Sequence, residues 1–334
     1  MTENEIIEND DVLYHYTTQE GLIGILESNC LWATHYKFLN DYSELMKSKE
    51  KLIQFLIPIV FDFKIKNYFR FINSESKNFK IGFNSMFEKM DIDSQLFYQT
   101  NINKVIEFVS EYYSETSSAR KFIEHFYKNF INEVYICSFC DGNYQDKYIN
   151  ENGLLSQWRG YGGDGGFAII FAKSDIKKLL DSEDNNLDFI FMDNVIYSDD
   201  DYEFIFNNYL NDIIEFVISY LKEEELDNPR NAILSMLHCF TRYKDYGFKE
   251  EQETRVIATI LSNNKKRYFR DKENGEQIPY IKLFDFNEPL PIKKIIVGPH
   301  KDKEARATWL KVKLASMGKD DIEVTVSKIP FVER

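Results

Sequence analysis

The chain has 334 residues, of which 43% are hydrophobic and 16% aromatic, and its formal net charge is −14. This length suits one large domain with insertions, or two domains. The chain has no uncharged apolar run long enough to span a bilayer, and its acidic start lacks the apolar segment of a secretory signal. The net charge argues against a broad basic surface for duplex nucleic acid, and four cysteines are too few for a disulfide framework, so we expect a cytoplasmic protein.

The first predicted elements are a strand, a helix and a second strand. Residues 12–17, VLYHYT, have the aromatic and β-branched character of a strand. Thr17 and Glu20 have the spacing of a capping box, which makes Thr17 the predicted N-cap of the helix that follows. We expect this helix to end near Asn29 and residues 31–34 to form a second short strand.

Strands and helical blocks alternate along the rest of the chain. Residues 42 to about 132 have a helical pattern, and Asn274-Gly275 is typical of a hairpin turn. The predicted strands are 131–140, 167–171, 189–191, 253–261, 293–297 and 322–327, and a further helix is predicted at 302–317. Strands at both ends and in the middle predict one α+β domain over residues 1–334, with a mixed sheet and helical insertions at 45–130 and 202–245.

Two motifs that often indicate chemistry have simpler explanations in this sequence. Cys137 and Cys140 have the spacing of a zinc or redox pair, but no second pair of ligands accompanies them. Positions three apart on a strand face opposite sides, so we expect both cysteines to pack in the core and no metal to bind.

The glycines of 160–165 match G-x-G-x-x-G, yet they leave a predicted helix and enter a strand, the reverse of the dinucleotide fingerprint. They indicate a turn that either lets the backbone approach a ligand or only turns tightly.

Two further segments carry polar side chains in unusual positions. His15 lies in the first predicted strand between two tyrosines, and by residue type alone it is a half-buried histidine bonded to a backbone carbonyl. If Glu253 begins a strand, then Glu251, Glu253 and Arg255 project to one face. Three charges on one face are costly unless that face lines a cleft; the alternative is a solvated edge or a structural Glu–Arg pair.

In these and other short motifs the chain resembles the ADP-ribosyltransferase superfamily, most closely DarT-like enzymes and an uncharacterised bacterial family of phage-defence loci. Residues 13–31 are similar to the "H-x-T, helix, I-L-x-x-G-L" opening of DarT-like proteins, with Asn29-Cys30 in place of the usual glycine turn. The motifs that look like markers of the uncharacterised family are Asn40-Asp41-Tyr42-Ser43-Glu44, Trp158-Arg159-Gly160-Tyr161-Gly162, Glu251-x-Glu253-x-Arg255, and the ending Ile296-Val297-Gly298 to Ser327-Lys328-Ile329-Pro330. Capping of a helix equally explains Asn40 or Asp41.

The resemblance implies an ADP-ribosyltransferase-like core in which NAD lies between two halves of a split sheet. His15 would bind a ribose hydroxyl of NAD, and Tyr16 and Thr17 would help to place the co-substrate. Tyr161 would pack on the nicotinamide ring.

The resemblance also implies that Glu253 is the catalytic carboxylate and that Glu251 orients the acceptor. Breaking the nicotinamide–ribose bond develops an oxocarbenium-like charge, which a fixed carboxylate stabilises. Glu253 or Glu251 would then take the proton of the acceptor. Arg159 and Arg255 are candidate partners of the pyrophosphate, because a guanidinium binds it bidentately, and Arg255 equally suits a salt bridge that positions Glu253.

The expected function is therefore NAD-dependent mono-ADP-ribosyl transfer by a cytoplasmic toxin or anti-phage defence effector. NAD is the expected co-substrate, RNA or DNA the expected acceptor, protein a second choice of acceptor and an antitoxin a further partner, without metal or membrane. Lysines at 47, 49, 51, 64, 66, 77 and 80, with the aromatics of 62–71, would form a local basic groove or an ordinary helical face. The alternatives are an NAD glycohydrolase, with water as acceptor, and a non-catalytic nucleotide-sensing or binding module of a defence system.

Overall fold

The computed structural model divides the chain into two compact units. The first comprises Met1–Tyr42, Glu133–Ser198 and Lys244–Arg334, and the second comprises Ser43–Asn132 and Asp199–Tyr243. That the chain is one domain over residues 1–334 with helical insertions at 45–130 and 202–245 stays a prediction. The structure describes residues 11–39, 47–56, 60, 118–142, 146–162, 165–183, 187–224, 229–261, 267–271, 275–285 and 288–330. The motif at 40–44, most of 45–130, and the lysines and aromatics at 62–80 lie outside these residues.

A ten-stranded sheet forms the centre of the first unit. Its strands are β1 (Val12–Thr17), β2 (Leu31–His35), β3 (Val134–Asp141), β4 (Phe167–Ala172), β5 (Phe189–Asn194), β6 (Glu253–Thr259), β7 (Tyr268–Asp271), β8 (Gln277–Leu283), β9 (Ile292–Val297) and β10 (Glu323–Val326). β10 runs parallel to β9, whereas the remaining pairs are antiparallel. The sheet is therefore mixed and open, and the α+β class is confirmed. The hairpin predicted near Gly275 is also confirmed, as β7 and β8.

Helices lie before, between and after these strands. They are α1 (Gln19–Ser28), α2 (residues 47–56), α3 (Ser118–Asn129), α4 (Lys147–Asn152), α5 (Leu155–Tyr161), α6 (Lys173–Glu183), α7 (Asp199–Asn208), α8 (Leu210–Lys222), α9 (Pro229–Thr241) and α10 (Lys303–Ser316). Apolar residues of α1, α6 and α10 belong to the main core together with residues from one face of the sheet; examples are Leu26, Ile176 and Leu310 of the helices and Phe139 and Val256 of the strands. Burial of this apolar area is the main source of stability for the first unit.

The sheet is split along one edge of β3. The strand order is β10-β9-β4-β1-β3-β2-β8-β7, and β6 joins β3 to β5. β6 pairs with β3 from Val134 to Cys140 and so occupies one edge of β3. On the other edge, β1 pairs only with Cys140 and Asp141, and β2 only with Tyr135 and Ile136. Residues 137–139 therefore face a gap between β1 and β2.

The start of α1 differs from the prediction by one residue. The N-cap is Thr18, whose side-chain oxygen accepts a hydrogen bond from Gly21 N at 3.2 Å. Thr17 is not the cap, because it still belongs to β1 and pairs with Phe167. The predicted end of the helix is confirmed, since Asn29 caps it with φ 50°. Asparagine tolerates this left-handed conformation, which explains how the chain turns there without glycine.

The second unit is helical in its described part and has an aromatic core. Phe126 packs on Phe216 and Phe240, which brings α3, α8 and α9 together. Lys51 of α2 donates to Asp199 at the start of α7 (2.6 Å). In the described part of the chain, no helix combines the length and the apolar composition needed to cross a bilayer.

Candidate functional site

His15 lies where β1 separates from β3. The ladder between these strands stops at Tyr14 and Cys140, one residue before His15. The imidazole Nδ1 lies 3.0 Å from the carbonyl oxygen of Ser138, and its ring packs on Phe139. The side chain thus supplies a partner for a carbonyl at the gap, where the ladder between β1 and β3 has ended.

The partner of His15 fixes the chemical state of its ring. A carbonyl oxygen can only accept, so Nδ1 carries the proton and donates it to Ser138. Burial lowers the pKa of His15 below its ordinary value; the bond to Ser138 opposes this and the charge of Arg270 adds to it. The ring is therefore neutral near pH 7, with Nε2 as a hydrogen-bond acceptor.

Glu253 and Arg255 form a buried, doubly hydrogen-bonded pair at the start of β6. Arg255 Nε donates to Glu253 Oε1 at 2.7 Å, and a second guanidinium nitrogen donates to Oε2 at 3.0 Å. Only 5% of Glu253 and 2% of Arg255 are exposed. Of the two alternatives for Arg255, this arrangement is the salt bridge that positions Glu253.

Lys244 adds a second cation to this pair. Its Nζ donates to Glu251 at 2.7 Å and to Glu253 at 3.1 Å, and the side chain is fully buried. The sequence pattern placed Glu251 on the same strand face as Glu253, but in the structure Glu251 lies outside the strand. It ends a 3₁₀ turn, Tyr246–Glu251, and the left-handed Gln252 (φ 44°) separates it from β6. The expected alternation along one strand face therefore holds for Glu253 and Arg255 alone, and Glu251 reaches the cluster from the turn.

The charges of this ionic cluster, defined as Lys244, Glu251, Glu253 and Arg255, balance one another. Burial by itself raises the pKa of Glu253, but Arg255 foremost, with Lys244 and Ser138, outweighs burial and lowers the pKa to about 2. Glu253 is thus ionised at every physiological pH, and it is a fixed negative charge and a weak base.

Ser138 joins the two residues that the sequence analysis placed in one site. Its carbonyl accepts from His15, and its hydroxyl hydrogen-bonds the carboxylate of Glu253. The pairing of β3 with β6 places Ser138 opposite Arg255 and Cys140 opposite Glu253. β1 and β6 therefore lie on opposite edges of one short stretch of β3. Because Tyr14 shares a face with Cys140 and Glu253, the side chain of His15 points to the opposite face of the sheet from that of Glu253, which lies 238 positions later in the chain.

The remaining predicted residues lie around Tyr16 and Trp158. Tyr16 is buried, its hydroxyl accepts from Leu154 N at 2.8 Å, and its ring meets Trp158 edge-on. Tyr161 is partly buried and packs on the same aromatic cluster. Arg159 points from α5 to solvent, and Thr17 ends β1. The structure therefore gathers Tyr16 and Tyr161 beside the site, whereas it leaves Arg159 at the surface.

Trp158 lies where residues from several motifs that are far apart in the sequence come into contact. Its indole nitrogen donates to Asn152 O at 3.0 Å, and Ser327 donates to the same oxygen at 2.8 Å. A Cβ on Gly298 would lie 2.7 Å from the Trp158 ring. Gly298 N also donates to Gly166 O at 2.9 Å. The glycines thus serve a close approach of backbone to backbone and to a ring, which is one reason for glycine at these positions.

Cys137 and Cys140 pack in the core, as the sequence predicted. Cys137 and Cys140 are free and buried, and they belong to core clusters on opposite faces of the sheet. Burial, with the charges of Glu253 and Glu251, raises the pKa of Cys140 well above its ordinary value, so its thiol stays protonated. Among the described residues, no three His, Cys, Asp or Glu side chains form a group that could hold a metal ion.

The sequence analysis missed Lys244 and Ser138. Lys244 stands alone between a helix and a turn, and lysine is almost never fully buried, so its type argued for the surface. Ser138 lies between the two cysteines whose spacing drew attention instead. Tyr197 was also missed; its hydroxyl accepts from the backbone nitrogen of Glu253 at 2.7 Å and holds the start of β6.

Comparison with known proteins identifies one matching family model. Residues 157–256 match the model of a protein family of unknown function, DUF2971. The match covers less than a third of the chain, and it includes both the motif around Trp158 and the ionic cluster, but not His15. The comparisons with curated proteins and with solved structures find no match.

Proposed function

We propose that this protein is an NAD-dependent mono-ADP-ribosyltransferase whose first unit is an ADP-ribosyltransferase-like core. The observation that carries the proposal is that both residues contact Ser138 beside the gap in the sheet, His15 through the carbonyl and Glu253 through the hydroxyl. The resemblance assigns these two residues to one NAD-binding cleft. The proposal includes a cytoplasmic role as a toxin or anti-phage defence effector, which rests on the resemblance alone.

The state of Glu253 suits the chemistry of nicotinamide release. NAD, when bound, supplies a ribose whose anomeric carbon becomes positively charged as the bond to nicotinamide breaks. A carboxylate held by Arg255 and Lys244 is ionised and fixed before the reaction, so it stabilises that charge without reorganising. Its low pKa makes it a stabiliser of charge in this mechanism, and leaves the acceptance of a proton to another group.

His15 suits the binding of a ribose hydroxyl. Its Nδ1 is committed to Ser138, which leaves Nε2 as an acceptor for a hydroxyl hydrogen. Because the ring is neutral, it adds no positive charge next to a developing cation. Ser138 therefore positions both the ring and, through its hydroxyl, the carboxylate of Glu253.

Glu251 is the better placed group to take the proton of the acceptor. Its side chain is 12% exposed, whereas that of Glu253 is 5% exposed. Lys244 holds Glu251 at 2.7 Å, and the turn that bears it leads directly into β6. In the balanced reaction an acceptor oxygen or nitrogen forms a bond to the anomeric carbon, nicotinamide leaves with the electron pair of the broken bond, and the acceptor's proton passes to Glu251.

The proposal is tested by incubating the full-length protein with NAD labelled in its adenylate part. RNA, single-stranded DNA and a cell protein extract are offered separately, and label transfer and free nicotinamide are both measured. We expect label on nucleic acid. Glu253→Gln is expected to lower the transfer rate by about 100- to 1,000-fold, because a preorganised charge in the site is lost.

Glu250→Gln is the matched control, because Glu250 is the same residue type on the same turn but is exposed. Its rate should equal that of the wild-type protein. Nicotinamide release that needs no macromolecule would assign the alternative activity, NAD hydrolysis. A folded wild-type protein that binds NAD but neither transfers label nor releases nicotinamide would be a binding module, and the transferase proposal would be abandoned.

A further inference from the structure

Arg270 lies on the same face of the sheet as the ionic cluster. It pairs with Ile278 across β7 and β8, and two residues further along β8 Tyr280 pairs with Thr34. Thr34 in turn pairs with Ile136 of β3. Directly paired residues share a face, and so do residues two apart along a strand. Ser138 is two residues beyond Ile136 and pairs with Arg255. Arg270, Thr34, Ser138 and Arg255 therefore lie on one face of the sheet.

Arg270 has a neutral hydroxyl as its hydrogen-bond partner. Arg120, Arg255 and Arg267 each donate to a carboxylate, whereas Arg270 donates to the hydroxyl of Thr34 at 3.2 Å. Burial lowers the pKa of Arg270, and among the described residues no carboxylate contributes to that pKa. A partly buried guanidinium without a counter-charge is energetically unfavourable, and a bound anion would offset the cost.

The charge of Arg270 reaches the gap in the sheet. Its charge contributes to lowering the pKa of His15, after the larger effect of burial. Arg255 is already engaged with both oxygens of Glu253, and Arg159 points to solvent. Arg270 therefore combines a position on the face of Ser138 and Glu253 with a guanidinium that has no carboxylate partner among the described residues.

We infer that Arg270 binds the diphosphate of the dinucleotide and that Thr34 positions its guanidinium. A planar guanidinium binds phosphoryl oxygens bidentately, and the hydroxyl of Thr34 fixes the plane from which the remaining N–H groups point. The identity of the ligand rests on the proposed function, but the anion site rests on the geometry around Arg270.

The test measures binding to the full-length protein by isothermal titration calorimetry. The ligands are ADP-ribose, which carries a diphosphate, and adenosine, which carries no phosphate. Arg270→Gln is expected to raise the Kd for ADP-ribose by about 10- to 100-fold and to leave adenosine binding unchanged. Arg270→Lys keeps the charge but not the bidentate geometry, so its Kd for ADP-ribose should lie between those of the wild-type protein and Arg270→Gln. In turnover, Arg270→Gln should raise KM for NAD while kcat stays near the wild-type value, unlike Glu253→Gln.

Arg267→Gln is the matched control, since Arg267 lies three residues earlier and has Glu133 as its partner at 2.6 Å. Its Kd for ADP-ribose should stay within about twofold of wild type. Equal ADP-ribose affinity in the wild-type protein and Arg270→Gln would overturn the assignment even if ADP-ribosyl transfer is observed. A loss confined to single-stranded oligonucleotide binding would overturn it too.

Inorganic pyrophosphate separates this inference from the proposed function. If the wild-type protein neither binds ADP-ribose nor consumes NAD, pyrophosphate binding that disappears in Arg270→Gln would support the anion site and leave only the NAD proposal refuted. Absence of pyrophosphate binding in that case would refute both.

Discussion

Replacing Glu253 with glutamine is expected to remove a contribution to stability that depends on pH. The surrounding cations lower the pKa of Glu253 from 4.5 to about 2, against the opposing effect of burial. A carboxyl whose pKa is lower in the folded protein stabilises it above the unfolded pKa, and this stabilisation is lost as pH falls through the folded pKa. The loss should therefore occur between about pH 5 and about pH 2.

The size of the effect follows from the two pKa values. One pKa unit corresponds to about 1.4 kcal/mol, so the change from 4.5 to about 2 contributes about 3 kcal/mol at neutral pH. At about pH 3 the unfolded carboxyl is mostly protonated while the folded one is still ionised, and about 2 kcal/mol should already be lost. Carboxyls outside the ionic cluster titrate alike in both proteins and cancel in the comparison. The stability difference between wild type and Glu253→Gln should therefore shrink by about 2 kcal/mol between about pH 7 and about pH 3.

Urea unfolding followed by tryptophan fluorescence at several pH values measures this difference. Glu27→Gln is a control, because Glu27 pairs with Lys313 at 2.8 Å but is 54% exposed. Its stability difference from wild type should stay within about 0.5 kcal/mol over the whole range. A gap between wild type and Glu253→Gln that stays constant from neutral to acidic pH would show that the carboxyl titrates normally. Glu253 would then not be the fixed charge that its contacts with Arg255 and Lys244 predict.

Two substitutions test the backbone features around the site, each against a control at a similar position. Gly298→Ala should lower stability by about 1–3 kcal/mol, because its Cβ would lie 2.7 Å from the Trp158 ring. The control, Gly160→Ala in α5, meets open space and should raise stability by about 0.5–1 kcal/mol. Thermal unfolding of both variants measures these changes. Asn29→Ala should be less stable than Asn29→Gly by about 1 kcal/mol, since both lose the same side-chain bonds but alanine is strained at φ 50°; equal melting temperatures would contradict this reasoning.

Local patterns predicted most strands and helices because each element depends on its own residues. The runs at 167–171 and 293–297 became β4 and β9, and the helical segment at 302–317 became α10. The capping box was displaced by one residue because β4 extends the pairing of β1 to Thr17, and the sequence near Thr17 contains no information about that partner. Tertiary pairing thus decided a boundary that local spacing left ambiguous.

The split in the sheet and the ionic cluster were harder to predict for the same physical reason. A strand sequence indicates which residues face the core but not which strand lies beside it, and β3 has three partners drawn from both ends of the chain. Lys244 becomes buried only because Glu251 and Glu253 meet it from a turn and a strand. Arg270 lies in a four-residue strand whose neighbours give no sign that Thr34 lies within hydrogen-bond distance.

The distribution of charge over this face favours a dinucleotide over a nucleic acid strand as its first ligand. The ionic cluster contains two cations and two anions, so it carries no net charge. On the same face, Arg270 adds a positive charge, and so does Lys282, which lies two residues beyond Tyr280 on β8; the chain as a whole has a formal charge of −14. A polyanion would gain from these two cations, while the negative net charge of the chain opposes its approach. NAD instead carries a diphosphate, which suits Arg270, and a cationic nicotinamide, which suits the carboxylates; binding should therefore weaken less steeply with salt than that of a ligand held by many phosphate contacts.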